Sequence, residues 1–305
     1  MPDLRTMEDR AYQALMQRQA TYEREVQLVL RETLDDMRLQ MSKLYERYSV
    51  NGVLTHAEMS KYNRLATAEQ QLLRTVDPAT RKVLRTINRL GPEQYDAAFF
   101  HYAWAVDNAT GLRLAWGVLN RDVILENLAN EFAKISKTRY AGNVQLTVRS
   151  ALNKGLATGK GYAAMVKDLK VAINSTYAEA LRILRTEGQR AATLGSEDAF
   201  TWARRKGVEG IIHWDATLDG RTRPEHAALD GVPKNEEKGG WWVPRLNKWI
   251  AGPLQSGDPA FDINCRCRER LEIEGYSPQL RRSREGGVIP YQTFQQWDHG
   301  RAHVS

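Results

Sequence analysis

The chain has 305 residues, 42% hydrophobic and 27% charged, an ordinary balance for a packed protein and enough length for two modest domains. No run of about eighteen apolar residues occurs, which excludes a helical membrane span, and MPDLRTMEDR has neither the basic patch nor the apolar core of a secretory signal. The excess of 44 Lys/Arg over 37 Asp/Glu is uneven: residues 146–175 carry five against one and residues 211–275 nine against eleven, a pattern that permits phosphate contacts just before an acidic stretch.

Apolar residues at Leu4, Met7, Ala11, Leu15, Tyr22, Val26, Val29, Leu34, Met37, Met41, Leu44 and Tyr48 mark one face at helical spacing. They predict one helix over 4–48, roughly 65 Å long at ~1.5 Å per residue, ended by Asn51-Gly52. A helix of this length packs in a bundle or coils with a partner, which makes it an assembly surface. Thr55 and Glu58 form a capping box for a second helix ending near Arg74. Asp77-Pro78 opens a third, with aspartate as N-cap and proline in the first turn, and Gly91-Pro92 closes it. The aromatics Tyr95, Phe99, Phe100, Tyr102, Trp104 and Trp116 place buried helices over 93–136, with a bend near Gly111. A helix over 140–154 breaks at Gly155 and Gly159-Lys160-Gly161. That glycine cluster lacks the spacing, the following Ser/Thr and the preceding strand of a phosphate loop, so it is a helix–helix turn. Thr176 with Glu179 caps a further helix to at least Leu194, and 197–206 adds helical turns up to Gly207.

After Gly207 the texture changes. Ile211-Ile212-His213-Trp214 is a strand signal and Asp219-Gly220 a turn. Thr222 with Glu225 caps a short helix stopped at Gly231, and Leu271 and Ile273 alternate with charges in a closing strand. The fold class is mainly α, an elongated helical N-terminal body with a small α+β C-terminal module. The division runs 1–145 for the body, 146–210 for a helical linker region and 211–275 for the module. Residues 276–305 form a basic tail with Arg281, Arg282 and Arg284, extended or mobile.

Both cysteines lie in the string DINCRC (262–267). Cysteines one residue apart have Cα atoms about 6–7 Å apart when extended, at the edge of disulfide geometry, so free thiols or a metal in a reducing compartment fit better. His226, Cys265 and Cys267, with Asp262 or His213 as a fourth ligand, form a candidate zinc set, since thiolates and imidazole suit that ion. In the alternative, Cys265 is a small buried apolar residue and His226 hydrogen-bonds the short helix. Arg185, Glu187, Asp219, Arg221, Arg223 and Asp230 alternate in sign, as an ion-pair network tying helix 177–194 to the module requires. Trp241, Trp242 and Trp249, beside Arg245 and Lys248, are candidates for partner contact or for a lid over the module's core. Lys154, Lys160, Lys167 and Lys170 are the candidate DNA contacts. A hydrolase would use His213 or His226 as general base beside Asp215 or Asp219. A transferase would draw on Arg149, Ser175-Thr176 and Glu272-x-Glu274.

The series Arg185-Thr186-Glu187, Trp214, Asp219-x-Arg221-Thr222-Arg223-x-x-His226, Leu229-Asp230-Gly231 and Asn264-Cys265-Arg266-Cys267 resembles the Mu F-like minor head proteins of tailed phages, the head morphogenesis family. The resemblance implies a structural protein without catalytic activity, made in the host cytoplasm and present in few copies in the virion head interior. Its implied partners are portal protein, scaffold or major capsid protein, and packaged double-stranded DNA, with no membrane. Some relatives carry Cys-x-x-Cys where Arg223 and His226 stand and histidine where Asp262 stands, so only His226 remains as a ligand at the first pair. The competing class is a metal-dependent nucleic-acid hydrolase or an ADP-ribosyltransferase-like effector carried in the head.

Overall fold

A computed structural model describes residues 4–110, 114, 116, 121–129, 131–217 and 219–273, with the backbone of 280–283 and 287–290. Helix α1 spans Leu4–Tyr48, the whole of the apolar stripe. Asn51 and Gly52 then adopt left-handed backbone (φ 52° and 77°), which a helix cannot continue through. Thr55 caps α2 (His56–Ser60), its hydroxyl accepting from the Glu58 N–H at 3.2 Å.

From Arg64 the chain runs as one helix, α3, to Thr110. This corrects two expected breaks: neither Asp77-Pro78 nor Gly91-Pro92 interrupts it. A proline inside a helix costs about 3 kcal/mol. Pro78 is exposed, so its ring displaces nothing, while Leu72, Val76, Val83, Ile87 and Leu90 are buried on the opposite side. Each such side chain contributes about 1.5–3 kcal/mol, and together they outweigh the proline.

Short α4 (Arg121–Leu128) precedes α5 (Glu131–Ala157), which contains Gly155 without breaking; the turn comes at Gly159, in left-handed conformation. Helix α6 then runs unbroken from Tyr162 to Arg205. Thr176 therefore caps nothing: it lies mid-helix, its hydroxyl donating back to the Ile173 carbonyl at 2.8 Å. Gly195 does not break α6 either, and has a packing reason to be glycine, since a Cβ there would lie 2.3 Å from the Tyr95 carbonyl oxygen. Among the described residues no helix is long and apolar enough to cross a membrane. The expected bend at Gly111 and most of the basic tail lie outside the described residues.

The chain divides into two compact units. Residues 20–90 and 129–184 form a helical unit with a core including Val26, Met41, Leu72, Val83, Leu152 and Leu169. Residues 1–19, 91–128 and 185–305 form a mixed unit. There, Leu4, Met7, Ala11 and Leu15 share one core with Phe99, Tyr102, Phe200, Trp214, Trp241, Phe261 and Leu271. The first four turns of α1 are thus core residues of the unit that holds the C-terminal strands.

In the mixed unit, β1 (Gly210–Asp215) pairs antiparallel with β4 (Arg268–Ile273), with Trp214 opposite Glu269 and Asp215 opposite Arg268. Helix α7 (Pro224–Leu229) starts after Arg223, not at a Thr222 cap. The Thr222 hydroxyl instead donates to the Thr217 carbonyl, closing the Asp219-Gly220 turn. Strands β2 (Trp241–Val243) and β3 (Lys248–Ile250) form a hairpin, and α8 (Pro259–Asp262) leads into the cysteine string. The tail contributes the antiparallel pair β5 (Leu280–Ser283) and β6 (Gly287–Pro290).

Candidate functional site

After α8, Asn264 turns the chain with a left-handed φ of 57°. The string then leads into β4, which begins at Arg268. Cys265 and Cys267 point the same way, both buried as free thiols, while Arg266 between them reaches out to Asp219. Helix α7 brings His226 over the pair. Its Nδ1 lies 3.3 Å from the Cys267 sulfur and 3.4 Å from that of Cys265. The imidazole is packed against Phe261 (ring centroids 4.1 Å apart) and faced edge-on by Trp214 (5.9 Å). Its Nε2 is buried with no hydrogen-bond partner among the described residues.

The electrostatics set the two thiols apart. Burial alone would push Cys265 up, but its contacts with Cys267 and His226 outweigh that and bring it down to about 5. Burial, and then the neighbouring Cys265, push Cys267 up. One donor atom from each of His226, Cys265 and Cys267 lies within 4.8 Å of the others, and this buried group is chemically suited to a metal ion. Asp262 is not part of it: its carboxylate accepts from Ser256 (N–H 3.2 Å, hydroxyl 2.8 Å) and the Gly257 N–H (2.9 Å), bracing the loop before α8. His213 is engaged elsewhere, with the Gly231 carbonyl at 3.0 Å and Glu272 at 3.1 Å.

The charged set separates into local roles. Asp219 accepts from Arg266 and from the Arg221 N–H, and the Arg266 guanidinium holds its carboxyl well below the usual range. Arg221 itself is exposed, 3.6 Å from Asp219. Arg223 donates to the carbonyls of Phe261 and Ile263, pinning α8. Asp230 accepts the Ala216 N–H at 2.8 Å. Glu187 pairs with Arg190 at 3.3 Å, and Arg185 is exposed.

Two neutral contacts join α6 to the cysteine string. The Asn264 N–H donates to the Thr186 hydroxyl (3.3 Å) and Gln189 donates to the Cys267 carbonyl (3.4 Å). Thr186 stands inside the Arg-Thr-Glu string and Gln189 one turn on, so helical spacing was the available signal.

A second group had no sequence signal. Arg5 donates to Asp215, Arg268 donates to both Asp215 and Asp9, and Glu8 accepts the Leu271 N–H at 3.0 Å. Asp215 is thus ion-paired with two arginines and Asp219 with Arg266. Of the transferase series, Arg149 is exposed on α5, and Ser175 and Thr176 donate to the helix carbonyls of Ala172 and Ile173. Glu272 pairs with His213, and Glu274 lies outside the described residues.

In the helical unit Lys154, Lys167 and Lys170 are exposed, whereas Lys160 pairs with Asp168. Lys154 and Asp168 edge an open groove of about 500 Å³ between α5 and α6, walled by Leu146 and Val171. The tryptophans divide as well. Trp241 is buried, donating to the Val232 carbonyl at 2.8 Å and packing edge-on against Trp214, while Trp242 and Trp249 are exposed.

A family model described as Phage Mu protein F like protein matches residues 146–270. The chain carries a Mu F-like domain. This domain takes in the last part of α5, all of α6 and the cysteine string, but none of the α1 residues that complete its core. Across nearly its whole length the chain is homologous to Minor head protein GP7 of Bacillus phage SPP1, 29% identical over 289 residues, covering 90% of this chain and 91% of that protein. The NAD(+)–arginine ADP-ribosyltransferase EFV of Enterococcus faecalis is 26% identical over 277 residues, 88% of this chain but 55% of that protein. An uncharacterised Haemophilus influenzae protein is 29% identical over 168 residues, 52% of this chain and 32% of that protein. The chain therefore spans about half or less of these last two relatives. No solved structure matches it.

Proposed function

We propose that the chain is a minor head protein of a tailed phage, housed in the head interior, that associates with portal protein and contacts packaged DNA. The observation that carries this reading is the end-to-end match to a minor head protein, nine-tenths of both chains. The exposed Lys154, Lys167 and Lys170 support the DNA contact, as cations free to meet phosphates without base readout. Scaffold or major capsid protein is the further partner class. In this reading the domain is held by packing and ion pairs and binds without catalysis. His226, Cys265 and Cys267 would hold a zinc ion, which when bound supplies a structural clip between α7 and the cysteine string. The residues themselves bury the site, orient the imidazole between Phe261 and Trp214, and keep water away.

The test is capture of the full chain by immobilised portal protein of the same phage. Retention that survives washing is expected, and failure to bind either portal or procapsids would end the reading. For DNA, a mobility shift on random duplex should weaken steeply with salt. It should weaken further when Lys154, Lys167 and Lys170 are changed to Gln, with Lys160→Gln adding less.

The match to the ADP-ribosyltransferase favours a second reading, a head-borne effector. The match covers 55% of that protein, and in the head-protein reading this chain transfers nothing. Incubation with labelled NAD and an arginine-bearing acceptor should leave the acceptor unlabelled; labelling would favour the effector.

A further inference from the structure

Helices α5 and α6 lie side by side in the helical unit and leave an open groove of about 500 Å³ between them. Leu146 and Val171, each 63% exposed, wall it, and the small Ala151 and Ala172 line it between them. On α5 the lining residues Leu146, Ser150 and Lys154 recur at every fourth position, so the groove follows the helix for about two turns, roughly 12 Å. Lys167 stands one turn before Val171 on α6, at the rim.

The stretch that forms the groove, residues 146–175, carries five Lys/Arg against one Asp/Glu. That one carboxylate, Asp168, is paired with Lys160. Carboxylates that reach α5 from beyond the stretch are engaged as well. Glu179 pairs with Arg139 at 3.7 Å and Arg182 at 4.0 Å, Glu69 accepts from Asn153 at 2.9 Å, and Asp77 accepts from Gln145 at 3.0 Å. Lys154 and Lys167 are exposed, and among the described residues no carboxylate pairs with either. The groove thus joins two bare aliphatic walls to a local surplus of positive charge.

We infer that the α5–α6 groove is a docking site for an acidic amphipathic helix of a protein partner. Its apolar side chains fill the space between Leu146 and Val171, and its flanking carboxylates meet Lys154 and Lys167. A groove between two packed helices receives the side-chain ridge of a third, and two turns match the usual spacing of apolar anchors on such a ligand. Unpaired lysines at the rim select carboxylates and disfavour a basic helix. DNA phosphates would meet the same lysines but leave Leu146 and Val171 in water, and no aromatic ring lines the groove for a base to stack on. The inference goes beyond the proposed role in the head and does not rest on it.

The probe is a fluorescein-labelled peptide of about sixteen residues, long enough to form a helix, with leucines along one face and glutamates beside them. Its counterpart carries lysine for every glutamate. Both are titrated against the full chain by fluorescence anisotropy. The acidic peptide should bind saturably, and the basic one at least about tenfold more weakly. Leu146→Ser and Val171→Ser should each raise the Kd of the acidic peptide about tenfold, and Lys154→Gln about threefold. Both apolar side chains are exposed, so Tm and far-UV circular dichroism should stay unchanged. The mobility shift of random duplex DNA should not respond to Leu146→Ser, which separates this site from the DNA contact. Absence of saturable binding, equal binding of the two peptides, or an unaltered Kd in Leu146→Ser overturns the proposal. Self-association of the chain that is lost in Leu146→Ser, read by analytical ultracentrifugation, would also overturn it by assigning the groove to a second copy.

Discussion

Arg5, in the first turn of α1, donates to both carboxylate oxygens of Asp215 on β1, at 3.1 and 3.3 Å, across 210 residues of sequence. Both side chains are buried, and Arg268 joins them from β4 with its Nε 2.7 Å from Asp215. Removing one member of a buried ion group leaves uncompensated charge, at about 3–5 kcal/mol. Asp215→Ala leaves two buried guanidiniums to share Asp9 and should destabilise the chain by that amount in urea unfolding. Disrupting the exposed pair Arg38–Asp35 should cost under about 1 kcal/mol. A loss under about 1 kcal/mol for Asp215→Ala would mean that water reaches the network.

Glu8 gives this network a pH dependence. Burial, opposed by Arg5, Arg268 and Arg270, raises its carboxyl from 4.5 to about 7. The folded state thus binds this proton more tightly than the unfolded chain. The associated stability is fully present below about pH 4.5 and is lost as pH rises through 7, on the order of 3 kcal/mol in all. Glu8→Gln keeps an acceptor for the Leu271 N–H and should flatten stability between pH 5 and 8. An unchanged slope in the variant would place the dependence elsewhere.

Gly195→Ala should destabilise although alanine favours helix by about 1 kcal/mol over glycine. The new Cβ would sit 2.3 Å from the Tyr95 carbonyl oxygen and 3.0 Å from the Ala98 Cβ, so α3 and α6 must part within the mixed unit. A cost of about 1–3 kcal/mol is expected, read as a drop in Tm. A rise in Tm would show that the helices yield freely.

Zinc content tests the buried thiol–imidazole group. Protein purified without chelator is expected to carry one zinc per chain by elemental analysis, and Cys265→Ser to lose it along with several degrees of Tm. Metal-free protein with an unchanged Tm in Cys265→Ser would assign the three residues to packing alone.

Much of the helical layout was legible because it rests on local periodicity: the stripe from Leu4 to Tyr48 and the Thr55–Glu58 cap needed only neighbours within a few turns. Pro78, Gly155 and Thr176 misled for the same reason, since local punctuation carries no record of the distant side chains that bury the helix around it. The Cys-x-Cys spacing already brought two thiols close together, and His226 stood within its own motif. Arg5, Glu8 and Asp9 were illegible as site residues. On an amphipathic helix they look like solvated charges until β4 is seen packed against them.

The most direct test of the head-protein account is quantitative immunoblotting of particles purified from infected cells, with and without functional portal protein. A few copies of the chain in normal heads, lost from heads assembled without portal, is the predicted result. Equal amounts in both particles would contradict association with the portal, and absence from both would contradict a place in the head.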